Sequence, residues 1–290
     1  MAKSPAHRLG QIIGDVLEAA IDPLLREFAE SNGLFLDTRG ERPARAGKKL
    51  IWTDSNLNSH DLDFVLERGG TAREIGAPVA FIETAWRRYT KHSRNKAQEI
   101  QGAIQPLAET FAQSNPFKGA ILAGVFTDGA LTQLRSLGFT VLFFPYESVV
   151  DAFSAVGIDI GFEETTLDDA VAAKVARWDN LVAARRELVP SELLARNSRA
   201  VSEFMAALRS SVSRQISLIR ISVLHGKATE VKSVADAIAF VEQHSQEGCL
   251  LPFARYELAA IYSNGDRIEA SFSDRQSAQA FLKALSAADR

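Results

Sequence analysis

The sequence predicts an α/β fold in which a mixed central sheet is flanked by helices, followed by a helical region and a small α+β region. Three patterns predict it. A long segment with helical periodicity opens the chain, apolar strand-like runs then alternate with helical segments, and two hairpin–helix patterns follow one another near the end. We therefore divide the chain into a core at 1–150, a helical region at 151–212 and a small α+β domain at 213–290.

The first predicted elements are a helix and two short strands. Apolar residues recur every three or four positions over residues 5–31, and Pro23 within that segment predicts a kink or a break. The stretch "DTRGERPARAGKK" is polar and contains Gly and Pro, which is typical of a loop. The stretch "LIWTDSNLNSHDLDFVLER" then predicts two short strands joined by a polar turn.

A buried strand and further alternation follow. "APVAFIETAWRRY" begins almost entirely apolar, as expected of a central strand. Ser93 is a candidate N-cap for a helix at about 94–113. "FKGAILAGVF" and "FTVLFFPY" predict two more strands, and the segment between them predicts a helix closed by Gly138.

The remaining chain changes character. Residues 147–212 are predicted to be mainly helical, with Pro190 and Ser191 opening one helix. Two strand–turn–strand–helix patterns follow, about 40 residues apart. Their turns fall at His225-Gly226 and Asn264-Gly265, and Asn-Gly is a strong signal for a hairpin.

The composition is that of a globular protein, with 46% hydrophobic and 24% charged residues among 290. The single cysteine, Cys249, excludes an internal disulfide framework. No apolar run approaches the roughly 18 residues of a membrane span, and the N-terminus lacks a signal-peptide core, so we expect a cytoplasmic protein with no membrane partner. A formal net charge of −3 leaves room for a local nucleic-acid site.

Two acids stand inside apolar strand patterns. Asp63 is followed at once by three apolar residues, and Glu83 is preceded by five. A strand carboxylate usually points to solvent, but these runs are apolar on both faces. A buried ionised carboxylate is costly unless it is paired. Mg²⁺ is one such partner, because it takes one or two carboxylates together with waters and a phosphate oxygen.

A basic, aromatic run follows the strand that carries Glu83. Basic residues interleaved with aromatic rings favour phosphate backbones and stacked bases, although a solvated loop with ordinary ion pairs is the alternative. The predicted helix N-terminus near Ser93 adds partial positive charge at the same place. The run "WRRYTKHSRNK" holds Arg87, Arg88, Lys91, Arg94 and Lys96 among Trp86, Tyr89 and His92.

Over residues 5–150 this arrangement resembles the PD-(D/E)XK nuclease core, which most type II restriction endonucleases and several repair nucleases share. Asp63 matches the motif Asp and Glu83 matches the acid of (D/E)XK. Glu18 matches the acid that many members add from the first helix. The resemblance implies a Mg²⁺ cofactor held by Asp63 and Glu83.

The chain departs from the motif at two positions. Leu62 stands where the family has Pro, and Ala85 stands where it has the catalytic Lys. Strand alternation places Arg87 on the same face as Glu83, but Arg does not deprotonate and would only stabilise charge. Some members supply the Lys from the following helix, which favours Lys96 here, followed by Lys91. The alternative is a site that has lost its Lys and is inactive.

The sequence therefore predicts a Mg²⁺-dependent endonuclease acting on double-stranded DNA, most like a type II restriction enzyme. Its catalytic residues would be Asp63, Glu83, Lys96 and Glu18. Cleavage of both strands favours a homodimer. A structure-specific repair or recombination nuclease and a non-catalytic DNA-binding protein are the alternatives. Backbone phosphates would be positioned by Arg87, Arg88, Lys91 and Arg94.

Overall fold

A computed structural model describes residues 4–90, 93–163, 165–223, 228–245 and 253–288. The chain divides into two compact units. The first consists of Met1–Thr110 and Pro116–Leu208, and the second of Phe111–Asn115 and Arg209–Arg290.

The first unit is built around a five-stranded sheet whose strands have the order β1-β4-β5-β6-β7. Neighbours β1, β4 and β5 are antiparallel, whereas β5, β6 and β7 are parallel. The predicted α/β fold with a mixed central sheet flanked by helices is confirmed. The elements up to the end of this sheet are α1 (Pro5–Ser31), β1 (Leu34–Thr38), β2 (Leu50–Thr53), β3 (Ser59–Leu62), β4 (Phe64–Arg68), β5 (Ala77–Arg87), α2 (Ser93–Thr110), β6 (Phe117–Gly124), α3 (Asp128–Ser136) and β7 (Thr140–Pro145).

Helices follow the sheet, as the sequence pattern predicts. The helix that contains Pro190 begins two residues earlier, at Leu188, so that the proline lies in its first turn, where a missing N–H costs little. These helices are α4 (Tyr146–Ser154), α5 (Asp168–Asp179), α6 (Ala183–Arg186), α7 (Leu188–Arg196) and α8 (Ser198–Val212).

Burial explains which strands lie at the centre. Phe81 and Ile82 of β5 and Ile121 and Leu122 of β6 are fully buried. A strand covered on both faces has no polar face to expose, so its sequence is a continuous apolar run. The third of the five strands is β5, so Glu83 lies on the central strand of the sheet.

Three local predictions differ from the structure. Strand β1 was not predicted, because "LFLDT" holds only three consecutive apolar residues and is stabilised by pairing with β4. The segment predicted as two strands forms three, since β2 and β3 pair separately and β4 joins the main sheet. Helix α1 runs unbroken through Pro23, which lies on its exposed side.

Ser93 does not have the predicted capping role. Helix α2 already includes it, and its side chain is buried. Its hydroxyl donates to the Thr90 carbonyl at 2.8 Å, and the Thr127 N–H donates to the hydroxyl at 3.4 Å. The hydroxyl therefore joins the start of α2 to the segment before α3.

The second unit contains two hairpin–helix patterns. Its antiparallel sheet has the order β11-β10-β8-β9. The Asn264-Gly265 turn is present, with Gly265 at φ +90°, a conformation that favours glycine. The predicted turn at His225-Gly226 lies outside the described residues. The elements are β8 (Ile216–Val223), β9 (Thr229–Val231), α9 (Val234–Gln243), β10 (Tyr256–Tyr262), β11 (Arg267–Phe272) and α10 (Arg275–Ala288).

None of the helices in the described part of the chain is both long enough and apolar enough to cross a membrane.

Candidate active site

One cleft of the first unit brings together the four predicted catalytic residues. It has a volume of about 430 Å³ and opens at the end of β5. Ala85, which replaces the expected lysine, and Arg87 line it as well. The four predicted residues in its lining are Glu18, Asp63, Glu83 and Lys96.

Strand pairing places the two buried acids side by side. Phe64 and Ile82 are partners in the antiparallel pair β4–β5. Asp63, just before Phe64, and Glu83, just after Ile82, therefore reach the same end of the sheet. Glu18 approaches from α1, and Lys96 from the first turn of α2.

Both oxygens of Asp63 have partners although only 6% of the residue is exposed. Its Oδ2 accepts bonds from the Thr84 N–H and from the Thr84 hydroxyl, each at 2.8 Å. Its Oδ1 lies 2.8 Å from Nη2 of Arg39. These contacts hold the carboxylate in one orientation.

Glu83 is in the opposite situation. It is 7% exposed, and its Oε1 is buried with no hydrogen-bond partner among the described residues. Burial, and then the charge of Asp63, raise the pKa of Glu83 to about 8, although Lys96 and Arg39 act in the other direction. A buried polar atom without a partner is rare and costly. This oxygen is therefore available to a ligand.

Glu18 lies at the edge of the site, with its side chain 40% exposed. Burial and the neighbouring Asp63 raise the pKa of Glu18, while Arg39 lowers it. Its Oε1 lies 4.0 Å from Nη1 of Arg39. Glu18 can thus contribute negative charge to the site without being held in place.

Two of the three candidates for the missing lysine, Lys96 and Arg87, line the cleft. The Lys96 Nζ lies 3.4 Å from Oε2 of Glu99, and Nη2 of Arg87 lies 3.6 Å from the same oxygen. Arg87 also donates to the Trp86 carbonyl at 2.9 Å. The side chain of Lys96 is the more buried of the two, at 19% exposed against 32% for Arg87.

The remaining basic residues of the run, Arg88, Arg94 and Lys91, differ in their surroundings. Arg88 is not in the cleft lining; its Nε donates to the Phe162 carbonyl at 2.9 Å and its guanidinium lies 4.2 Å from the centre of the Tyr146 ring. Its Nη2 also pairs with Glu163 at 3.1 Å. Arg94 is exposed on α2. Lys91 lies outside the described residues.

Sequence reasoning missed Arg39 and Thr84. Arg39 belongs to a polar, Gly- and Pro-containing loop, and no local pattern distinguishes it from Arg42 or Arg45. It reaches the site because β1 pairs with β4 and ends beside Asp63. Thr84 follows Glu83 directly, so a polar side chain next to the motif acid was the available signal.

The acids fit one hard cation. Among the described residues, no cluster of three or more His, Cys, Asp or Glu side chains is arranged to hold a metal ion. Mg²⁺ does not require such a cluster, since it commonly keeps several waters and binds through one or two carboxylates and a phosphate. Asp63 and the unpartnered oxygen of Glu83 are of that type.

Comparison with known proteins does not assign a family. No protein-family model matches the chain, and no curated protein sequence matches it. A crystal structure of AF1548, a protein of unknown function, aligns with 63% of this chain and 98% of its own at 11% identity, with a TM-score of 0.28.

The pKa of Glu83 predicts how stability depends on pH. Its folded value of about 8 lies above the ordinary 4.5. Between pH 4.5 and pH 8 the folded protein therefore holds one more proton, at Glu83, than the unfolded chain. The stability that this proton contributes is lost as the pH rises through about 8. Without metal, the free energy of unfolding should fall by a few kcal/mol, in order of magnitude, between pH 5 and pH 9. Urea denaturation of wild type and Glu83→Gln at several pH values measures this fall. If the free energy of unfolding depends on pH in the same way in both proteins, the raised pKa of Glu83 is contradicted.

Proposed function

We propose that the protein is a Mg²⁺-dependent endodeoxyribonuclease with a PD-(D/E)XK core, most like a type II restriction enzyme. One observation carries the proposal. The buried Oε1 of Glu83 has no partner among the described residues, and it stands beside Asp63 in an open cleft that also contains Lys96. A divalent cation satisfies such an oxygen and offsets both carboxylate charges.

The order of the elements supports the nuclease core. Helix α1 supplies one acid, the position just before β4 supplies the second and β5 the third, and α2 then leads to the parallel strand β6. This is the order on which the resemblance in the sequence rests. Ala85 and Lys96 line the same cleft, and we assign the role of the absent side chain to Lys96.

Each of the four predicted catalytic residues has a distinct role in phosphodiester hydrolysis. Asp63, oriented by Thr84, and Glu83 would hold a divalent cation. Such a cation would supply Lewis-acid activation of the phosphate and lower the pKa of a water molecule. Lys96 directs its ammonium group at the attacking water and at the charge that develops on the phosphate. Glu18 adds an anionic group at the edge.

The basic residues position the DNA backbone. Arg87 lies in the cleft and Arg94 is exposed nearby on α2, so both can reach phosphates next to the one that is cut. Lys91 lies between them in the sequence and shares the proposed role. Arg88 is left out, because its guanidinium already binds Phe162 and Glu163. A homodimer would place two such clefts on the two strands of a duplex.

A non-catalytic DNA-binding protein is the second candidate. Two observations favour it: Ala85 stands where the family has its lysine, and Arg39 already neutralises Asp63 at 2.8 Å. Such a protein would retain the basic surface and bind DNA without cutting it.

Incubation of plasmid and phage DNA with the protein and Mg²⁺ or Mn²⁺ tests the proposal. We expect double-strand cleavage that requires the metal and leaves defined ends, which sequencing of the products identifies. Cleavage confined to branched or single-stranded substrates would indicate a structure-specific nuclease instead. Binding without cleavage in either metal would indicate the non-catalytic protein.

Arg94 and Arg88 form a matched pair for the phosphate assignment. Arg94→Ala should weaken binding equally for cognate and random duplexes, because a phosphate contact carries no sequence information. The slope of log K against log salt should fall by about 0.9 for the lost contact on B-form DNA. Arg88→Ala should leave that slope unchanged. Titrations at several salt concentrations measure both variants, and an unchanged slope for Arg94→Ala would exclude the contact.

A further inference from the structure

Arg39 is an exposed cation bound to a buried anion at the centre of the site. Its side chain is 51% exposed, whereas that of Asp63 is 6% exposed. The Nη2–Oδ1 distance is 2.8 Å, and this oxygen is the one that Thr84 leaves free. Any cation that binds Asp63 through Oδ1 therefore meets a guanidinium already in place.

The charge of the guanidinium acts on all three acids of the site. Besides Asp63, it lies 4.0 Å from Glu18, and its charge acts on Glu83 as well. These are the same three acids that a divalent cation in the cleft would neutralise. Like charges repel strongly at such short range in a partly buried site. Arg39 and the cation therefore compete for Oδ1 of Asp63.

A second cavity offers the side chain a place to go. It has a volume of about 420 Å³ and shares Glu18, Arg39 and Asp63 with the cleft. It is also lined by Asp15 and Asp22 of α1. Asp22 already pairs with Arg26, with an N–O distance of 2.9 Å. Asp15, on which the charge of Arg8 acts, and Glu18 are the other acids of this lining.

We propose that Arg39 is an internal counter-ion of Asp63 which a divalent cation displaces, and that the displaced guanidinium moves along α1 to Glu18 and Asp15. The inference rests on the metal site of the proposed function. It assigns Arg39 as a positioning residue that sets the affinity for metal. Without metal it neutralises Asp63, and it must move before a metal ion can bind Oδ1.

Titration with Mn²⁺ alone tests the competition. Binding is measured by calorimetry and by the loss of the paramagnetic resonance signal of free Mn²⁺. Arg39→Ala and the bulkier neutral variant Arg39→Gln should both bind Mn²⁺ about tenfold or more tightly than wild type, because the competing charge is gone. Arg39→Lys retains the charge and should stay near the wild-type affinity. Thermal unfolding without metal shows that each variant is folded.

A double-mutant cycle tests the displaced position. Asp15→Asn should weaken Mn²⁺ binding in wild type, because the displaced guanidinium loses a partner, and should have no effect in the Arg39→Ala background. Equal effects of Asp15→Asn in both backgrounds would overturn the proposed movement.

Two results separate failure of the inference from failure of the proposed function. If wild type binds Mn²⁺, Glu83→Gln abolishes that binding, and both neutral Arg39 variants match wild type, the competition is overturned and the metal site stands. If Mn²⁺ binding is absent in wild type and in the Arg39 variants, or is unaffected by Glu83→Gln, the metal site itself is overturned together with the inference.

Discussion

Glu83→Gln and Asp63→Ala are each expected to abolish DNA cleavage in Mg²⁺, with a loss of about 10³-fold or more in rate. Each change removes a proposed ligand, and the Lewis-acid contribution of the cation cannot be replaced by positioning. Glutamine has nearly the shape of glutamate, so Glu83→Gln should fold normally. DNA binding in Ca²⁺ should change far less. Single-turnover cleavage and binding titrations measure the two effects separately.

Asp61→Asn is the matched control. Asp61 lies two residues before Asp63 on β3, and its carboxylate pairs with Lys49 at the surface, at 2.9 Å. It is absent from the lining of the cleft. Its neutralisation should leave cleavage close to the wild-type rate. If the Asp63 and Glu83 variants cut DNA as well as Asp61→Asn does, the acid pair is not the catalytic site.

Lys96→Ala should reduce the cleavage rate by about 10²-fold or more with little loss of affinity for DNA. Its ammonium group is proposed to stabilise charge that develops only in the transition state, and such a residue affects the rate more than binding. Pre-steady-state cleavage with saturating DNA measures the chemical step. The change also removes the ion pair with Glu99. Because the Glu99 side chain is exposed, this pair contributes little to stability.

Arg87→Ala distinguishes the two candidates for the missing lysine that line the cleft. Both side chains approach Glu99 in the cleft, at 3.4 Å for Lys96 and 3.6 Å for Arg87. If Arg87 only binds a neighbouring phosphate, its loss should weaken DNA binding and leave the rate at saturation nearly unchanged. A silent Lys96→Ala together with an inactive Arg87→Ala would assign the charge-stabilising role to β5.

The two buried acids of the predicted site follow from a local pattern with a physical cause. Ionised acids are costly within apolar runs, which singles out Asp63 and Glu83, and the structure places both among the buried residues of one cleft. Glu18 and Lys96 come instead from the resemblance to the nuclease core, and both line the same cleft.

Other features depend on partners that are distant in sequence. Arg88 was grouped with the phosphate-binding residues because it stands in a basic run, yet its partners Phe162 and Glu163 lie more than 70 positions away. Strand β1 is similar, since its short apolar run becomes a strand only through pairing with β4. A charge count over a short window contains none of this information.

By itself the sequence determined the alternation of strands and helices, the buried centre of the sheet and the acids within it, because hydrophobic periodicity and the cost of burying charge act over a few neighbouring residues. The tertiary structure alone decided the pairing of Asp63 with Arg39, the unpartnered oxygen of Glu83 and the occupied guanidinium of Arg88. Each of these depends on which loops and strand ends meet in space. Sheet register and helix packing over the whole unit decide which of these segments meet. Charged residues of the same type, such as Arg39 and Arg88, therefore have entirely different neighbours.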